Sequence, residues 1–281
     1  MIKGLGTALI TPFKADKRVD YEALARLLDT QLTGAVDYIV VLGTTGEAAT
    51  MTEDEKREVR TFIRQYVNGR LPLVLGVGGN NTAAVCESLK TIDLTGFEAI
   101  LSVCPYYNKP NQEGLFQHFR AVAEASPIPV ILYNVPGRTG VNLLPETVMR
   151  IYEAQPKKIL GIKEASGNLE QIKHLIDLAK DKLMVISGDD GIACEIMEAG
   201  GAGLISVASN AFPEDFYAIV HKKDQAKQAQ YEQMVKLLFK EGNPVGIKAV
   251  LAQKGIIQNY LRLPLVPASA VLQEDIQKEL A

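Results

Sequence analysis

The sequence predicts an α/β fold, a closed (β/α)8 barrel of the TIM-barrel class with a small C-terminal α-helical domain. Short apolar runs alternate eight times with amphipathic stretches before residue 223. The runs are apolar throughout, which is typical of parallel strands that are buried on both faces. Eight successive strand and helix units predict closure into a barrel, and 281 residues suffice, since such barrels commonly take about 250 residues.

Each strand of the barrel is predicted from one apolar run. Parallel strands need crossover helices between them, and helix start signals lie where these helices should begin. Asp20 precedes the first helix, Thr52 and Glu55 form a capping box before the second, and Asn168 stands three residues before Gln171. The predicted strands are Thr7–Ile10, Tyr38–Leu42, Leu73–Val77, Ala99–Val103, Val130–Asn134, Ile159–Lys163, Met184–Ser187 and Gly203–Val207.

An open, doubly wound sheet is the alternative architecture for the same alternation. It usually carries a nucleotide-binding turn of the pattern G-x-G-x-x-G, and residues 76–81, which read G-V-G-G-N-N, do not fit that pattern. The alternation ends after residue 223, and residues 224–240, 244–258 and 269–280 predict three helices. We therefore predict a catalytic barrel in residues 1–223 and a three-helix domain in residues 224–281.

Composition narrows the class of function. The net charge is -3 and no lysine- or arginine-rich block occurs, which disfavours a nucleic-acid partner. Three widely spaced cysteines disfavour disulfides and structural zinc, and the three histidines show no metal-ligand spacing. No secretory signal and no run of 18 apolar residues is present, so we expect a cytoplasmic protein that does not contact a membrane.

One lysine stands inside a predicted buried strand. Lys163 ends the run I-L-G-I-K, and burial disfavours the charged form of an amine. A neutral lysine is a nucleophile that condenses with ketones and aldehydes to an imine, the Schiff base. The alternative is a strand-end lysine paired with Glu164 or another carboxylate, and Lys163 alone does not decide between the two.

Further polar residues follow the predicted strands, at the barrel face where active sites are built. Gly43-Thr44-Thr45-Gly46 offers hydroxyls and open backbone N–H groups to an anion, or is only a tight turn that caps the next helix. Tyr133 should neighbour Lys163 and could move protons, or is only a buried ring. Arg138 could bind a carboxylate through two parallel hydrogen bonds, or it could form an ion pair at the surface of a loop. Tyr106-Tyr107 predicts an oligomer interface or packing at the barrel mouth.

These motifs together resemble the pyruvate-dependent class I aldolase/lyase family over essentially the whole chain. The resemblance rests on Gly43-Thr44-Thr45-Gly46-Glu47, on Tyr133 in Y-N-V-P, on Gly137-Arg138-Thr139-Gly140 and on Gly161-Ile162-Lys163-Glu164-Ala165. It implies a lyase in which Lys163 forms an imine with pyruvate, without a metal or organic cofactor. It also implies condensation with L-aspartate 4-semialdehyde, on the diaminopimelate route to lysine.

The resemblance also implies roles for individual residues. Thr45 would hold the pyruvate carboxylate, and Arg138 would hold the carboxylate of the second substrate. Tyr133, Thr44 and Tyr107 would form a proton relay, with Tyr107 supplied by the neighbouring subunit of a tight dimer. Two such dimers usually form a homotetramer. Gly188 and Ile205 match positions whose backbone lines the pyruvate pocket.

Two alternatives remain at this stage. A sugar-acid lyase such as N-acetylneuraminate lyase uses the same imine, but such lyases generally lack the signature around Arg138. A barrel that binds a keto acid as a sensor would have no use for the proton relay of Lys163, Tyr133, Thr44 and Tyr107.

Regulation by lysine is predicted to be weak or absent. Feedback-inhibited members of the family bind lysine through a serine, a histidine and a glutamate near their dimer interface. Those positions hold Ala48, Lys56 and Ala84 here, while Asn80 and Tyr106 match. A cationic ligand would lose the glutamate and be repelled by Lys56.

Overall fold

The structure is a computed structural model that describes residues 2–281. Eight strands form a closed barrel in which β1 to β8 follow one another in chain order. The predicted (β/α)8 barrel is thereby confirmed. The strands are β1 Gly4–Ala8, β2 Tyr38–Val41, β3 Leu73–Gly76, β4 Ala99–Val103, β5 Val130–Asn134, β6 Ile159–Glu164, β7 Met184–Ser187 and β8 Gly203–Ser206.

Helices follow every strand, and the last three come after the barrel, as predicted for the C-terminal segment. None of the helices in residues 2–281 is both long and apolar enough to cross a membrane. The helices are α1 Tyr21–Thr33, α2 Glu53–Val67, α3 Thr82–Thr91, α4 Gln112–Ala125, α5 Pro136–Thr139, α6 Pro145–Ala154, α7 Leu169–Ala179, α8 Ala193–Glu198, α9 Pro213–Lys222, α10 Gln225–Phe239, α11 Val245–Gln253 and α12 Ala270–Leu280.

The predicted helix starts are confirmed. The Asp20 side chain caps α1 by accepting a backbone N–H. The Thr52 hydroxyl accepts from the Glu55 N–H at 3.2 Å, and the Glu55 carboxylate accepts from the Thr52 N–H at 2.9 Å. Asn168 accepts from the Gln171 N–H at 3.1 Å at the start of α7. These local caps satisfy N–H groups that have no partner within the helix.

The first strand was predicted at Thr7–Ile10, and those bounds were wrong, because β1 spans Gly4–Ala8 and so begins three residues and ends two residues earlier. The reason lies in Gly6, which has no side chain and so does not contribute to an apolar pattern, although the packing of β1 requires a glycine there. The ring of Tyr38 occupies the space that a Cβ atom at Gly6 would need. The remaining strands agree with the predicted bounds within one residue.

Two compact units are distinguished within the chain. One unit is Leu73–Ile205, which contains β3 to β7 and most of β8. The other consists of the described residues on either side, with β1, β2 and the C-terminal helices. The domain boundary predicted after residue 223 lies inside this second unit and stays a prediction.

Four lysine and glutamate residues are buried within residues 2–281, although the core is otherwise mostly apolar. They are Glu47, Lys163, Glu164 and Lys248. Such side chains are almost never fully buried unless they are paired. Three of them lie in or beside motifs that carry the resemblance, so the partners of these groups bear directly on function.

Candidate active site

Lys163 lies near the end of β6, beside Tyr133 on β5. The two residues are directly opposite each other in the parallel ladder. The Lys163 side chain is 6% exposed, and its Nζ atom lies 4.5 Å from the centroid of the Tyr133 ring. The proximity predicted from strand alternation is therefore confirmed. An amine in this position has a phenol as its immediate neighbour.

Glu164 does not pair with Lys163. Successive residues of a strand point to opposite faces, and the Glu164 carboxylate turns away to other donors. It accepts from Asn134 Nδ2 at 3.0 and 3.2 Å, from the Ser166 N–H at 2.8 Å and from Gln171 Nε2 at 3.4 Å. Burial raises the pKa of Glu164, against the effect of these hydrogen bonds. No ion pair joins Lys163 to a carboxylate in residues 2–281, so the paired-lysine alternative was wrong.

Gly188 follows β7 and adjoins Lys163. Its N–H donates to the Glu164 carbonyl at 2.8 Å, which continues the ladder beyond the strand. A Cβ atom at this position would lie 2.9 Å from Lys163 Cε and 2.6 Å from the Ala165 Cβ. A glycine at position 188 therefore leaves the space that the Lys163 side chain occupies. Ile205 is buried within β8, and its predicted role at the pocket stays a prediction.

The dithreonine turn, Gly43-Thr44-Thr45-Gly46, forms a single turn of 3-10 helix after β2. Thr44 is exposed, whereas Thr45 is buried and its Oγ1 accepts from Asn243 Nδ2 at 3.0 Å. The turn does not cap α2, because Thr52 performs that function. The helix-capping interpretation of this motif was therefore wrong, and the Thr44 hydroxyl is accessible at the surface of the chain.

Glu47 ends the same motif and is held by residues of the C-terminal segment. Its backbone is left-handed, with φ of 54°. Its carboxylate accepts from Lys248 Nζ on α11 and from the Arg262 N–H, the latter at 3.1 Å. Lys248 also donates to the Tyr260 carbonyl at 3.0 Å. Burial lowers the pKa of Lys248 to about 8, and the carboxylate opposes that change.

The loops after β4 and β5 carry the remaining predicted residues. Arg138 lies in α5 and its side chain is exposed. Tyr107 has a left-handed backbone with φ of 75°, and its side chain is 89% exposed. The Tyr107 N–H donates to the Thr139 carbonyl at 3.4 Å, so this loop rests on the turn that contains Arg138. The ring of Tyr107 extends away from its own chain.

A family model decides the relationship of this chain to known proteins. The model of the dihydrodipicolinate synthetase family matches residues 1–281. The chain belongs to that family. The resemblance predicted from the sequence motifs is thereby confirmed.

Individual relatives agree with the family assignment. A 4-hydroxy-tetrahydrodipicolinate synthase of Parabacteroides distasonis is 49% identical over 286 residues, covering 99% of this chain and 96% of that protein. The crystal structure of dihydrodipicolinate synthase from Thermotoga maritima has a TM-score of 0.96 and 40% identity, covering all of this chain and 98% of that one. A chloride-inhibited dihydrodipicolinate synthase from Acinetobacter baumannii, solved with pyruvate, has a TM-score of 0.95 and 38% identity, covering 100% and 98%.

Sequence reasoning missed the residues that support the family motifs from a distance. Asn243 and Lys248 contact the dithreonine turn and Glu47, but they lie about two hundred residues further along the chain. Lys248 carried a signal of the same kind as Lys163, a lysine inside the apolar run V-G-I-K-A-V-L. Asn134 has no separate signal in the sequence, because it stands inside the motif Y-N-V-P that contains Tyr133.

Proposed function

We propose that the chain condenses pyruvate with L-aspartate 4-semialdehyde through an imine on Lys163, and releases 4-hydroxy-tetrahydrodipicolinate and water. The single observation that carries this proposal is the buried Lys163 amine, which has no carboxylate partner in residues 2–281 and faces the Tyr133 ring at 4.5 Å. An unpaired, buried amine is suited to nucleophilic attack.

Imine formation begins with attack of Lys163 Nζ on the C2 carbonyl of pyruvate. The carbinolamine that forms must lose water, so the departing hydroxyl needs a proton from a nearby acid. The Tyr133 phenol is the neighbour that could supply it. Thr45 would hold the substrate carboxylate, since its oxygen already accepts from Asn243 and its own O–H remains to donate.

The second half of the reaction forms the carbon–carbon bond. Loss of a methyl proton from the imine gives an enamine, whose terminal carbon attacks the aldehyde carbon of the semialdehyde. The aldehyde oxygen takes a proton and becomes a hydroxyl group. The amine of the second substrate then displaces Lys163 Nζ and closes the ring. Arg138 would bind the carboxylate of that substrate.

Tyr107 would complete the proton relay in the neighbouring subunit together with Thr44 and Tyr133. Its 89% exposure in the single chain supports a role outside its own subunit. We propose a homotetramer built from two tight dimers. The structure reported for the first monomeric dihydrodipicolinate synthase variant has a TM-score of 0.95 to this chain, so the fold itself does not fix the oligomeric state.

Borohydride trapping tests the imine. The protein is incubated with pyruvate, reduced and digested, and the adduct is mapped by mass spectrometry. We expect an adduct on Lys163 that is lost in Lys163→Ala and retained in Lys173→Ala, which alters an exposed lysine on α7. Folded wild-type protein that binds pyruvate without an adduct would favour the sensor instead.

The aldehyde partner needs a second assay. We expect turnover of pyruvate with L-aspartate 4-semialdehyde to exceed cleavage of N-acetylneuraminate, and Arg138→Ala to raise the KM for the semialdehyde more than the KM for pyruvate. The reverse preference would favour the sugar-acid lyase. Activity should persist in EDTA, since the proposed steps need no metal.

Regulation and location remain as predicted from the sequence. Lys56 pairs with Glu53 at 2.8 Å, and Ala84 is exposed, so the cation and the missing carboxylate both disfavour bound lysine. We expect weak or absent inhibition by L-lysine, and half-inhibition below one millimolar would contradict this. We also propose a cytoplasmic location, which fractionation of the source cells can test.

A further inference from the structure

We propose that Glu164 is a positioning residue, which keeps the Lys163 amine against the Tyr133 ring by tying the ends of β5 and β6 together. This inference rests on the proposed function, because it concerns the geometry of the imine-forming pair. Glu164 does not contact the Lys163 amine. It acts through the backbone of its own strand and through Asn134 on the neighbouring strand.

The register of the two strands creates this arrangement. Asn134 lies opposite Glu164 in the same ladder in which Tyr133 lies opposite Lys163. Side chains alternate between the faces of a strand, so the Asn134 and Glu164 pair occupies one face and the Tyr133 and Lys163 pair the other. A hydrogen bond between the first pair therefore fixes the strand spacing at which the second pair meets.

The hydrogen bonds of Glu164 are all of one kind. Its side chain is buried, and each of its partners donates: Asn134 Nδ2, the Ser166 N–H and hydroxyl, and Gln171 Nε2. A carboxylate can accept every one of these bonds. A glutamine at this position would turn an NH2 group toward the NH2 group of Asn134. Because every neighbour donates, the position requires the carboxylate of Glu164 and not an amide.

A second layer holds Asn134 in its orientation. Its Nδ2 also donates to Asn142 Oδ1 at 2.8 Å, and its Oδ1 accepts from the Leu143 N–H at 2.9 Å. Asn142 in turn exchanges two hydrogen bonds with Gln171, at 2.7 and 3.1 Å. Asn134 can therefore not rotate its amide without losing the Leu143 bond, and the position of its donor is fixed.

The test compares three variants, two of which change the hydrogen-bonding groups at positions 134 and 164. Glu164→Gln places two amides in contact, and the exchange Asn134→Asp with Glu164→Gln restores one carboxylate and one amide. Glu170→Gln removes an exposed carboxylate from the first turn of α7 and is the control. For each variant we measure kcat, both KM values, the rate of borohydride trapping with pyruvate, and the thermal midpoint.

We expect Glu164→Gln to lower kcat and the trapping rate about tenfold, with both KM values within roughly threefold of wild type. The exchanged pair should recover kcat to within roughly threefold. A loss of kcat smaller than about fivefold in Glu164→Gln, or an exchanged pair no faster than this variant, would overturn the proposal. If Glu164→Gln does not fold, the exchanged pair alone decides, and failure of both to fold would assign Glu164 to stability only.

The outcomes also separate this inference from the function on which it rests. Wild-type protein without a pyruvate adduct would refute the proposed function. A wild-type adduct on Lys163 that forms equally fast in Glu164→Gln would refute only the positioning role of Glu164.

Discussion

Two buried glutamates, Glu47 and Glu164, belong to two of the family motifs, yet their carboxylates find partners of different kinds. Glu47 is neutralised by the cation of Lys248, 201 residues away in the sequence. Glu164 is held by neutral hydrogen-bond donors, none more than 30 residues away. A buried ion pair is costly to break on one side, whereas donors of a local network can be exchanged for one another. The Glu47 region should therefore be the more vulnerable to single substitutions.

The largest effect is expected when Lys248 loses its charge. Lys248→Met should lower the free energy of unfolding by about 3–5 kcal/mol, because it leaves the buried carboxylate of Glu47 without a cation. Urea unfolding monitored by circular dichroism measures this change. Combining Lys248→Met with Glu47→Gln removes the unpaired charge and should recover most of the loss. A single variant as stable as wild type would contradict the contrast between the two glutamates.

A smaller loss is expected at Glu164. Glu164→Gln leaves no unpaired ion and should cost about 1–3 kcal/mol of unfolding free energy, the range for a mismatched buried hydrogen bond. The same urea experiment measures it, with Glu170→Gln as the exposed control. If Glu164→Gln were more destabilising than Lys248→Met, the distinction between a paired ion and a local network would fail.

The two regions should also respond to acid with opposite signs. Beside Glu47, the Arg262 guanidinium lowers the pKa of Glu55 to about 2. Glu55 therefore adds stability that is present above pH 4.5, its ordinary pKa, and is lost as the pH falls toward 2. This loss should be about 1–2 kcal/mol, since the group is partly exposed.

Glu164 has the reverse dependence because burial raises its pKa. Its folded form takes up a proton more readily than the unfolded form, so its contribution to stability rises as the pH falls through the folded pKa. Unfolding in urea from pH 7 to pH 3 tests both signs. Glu55→Gln should reduce the acid loss of stability, and Glu164→Gln should increase it. Identical slopes in both variants would contradict the assignment.

The part of the fold that sequence could predict was the part fixed by local patterns. The apolar runs predict the bounds of seven strands to within one residue. The capping residues Asp20, Thr52 and Asn168 predict helix starts that the structure confirms. The alternation of side chains along a strand and the order of the strands predict that Tyr133 lies beside Lys163, as it does in the structure. The start of β1 was missed because Gly6 is present for the Tyr38 ring, a contact between strands.

The site was predictable only where its residues lie on strand ends. Lys163 and the dithreonine turn could be identified, but the partners of Glu47 and Thr45 include Lys248 on α11 and Asn243, two residues before that helix. No local pattern relates Asn243 to Thr45, because their contact depends on how distant segments pack. Likewise, strand alternation explains why Glu164 turns away from Lys163 in the structure, but it does not identify the donors that Glu164 meets.

The contacts of Asn243 and Lys248 also set an order of events during synthesis. Translation produces the dithreonine turn and Glu47 about two hundred residues before Asn243 and Lys248. A nascent chain that stops before Asn243 has neither the amide that donates to Thr45 nor the cation that neutralises Glu47. The ribosome must therefore add about two hundred further residues before this turn acquires its buried partners.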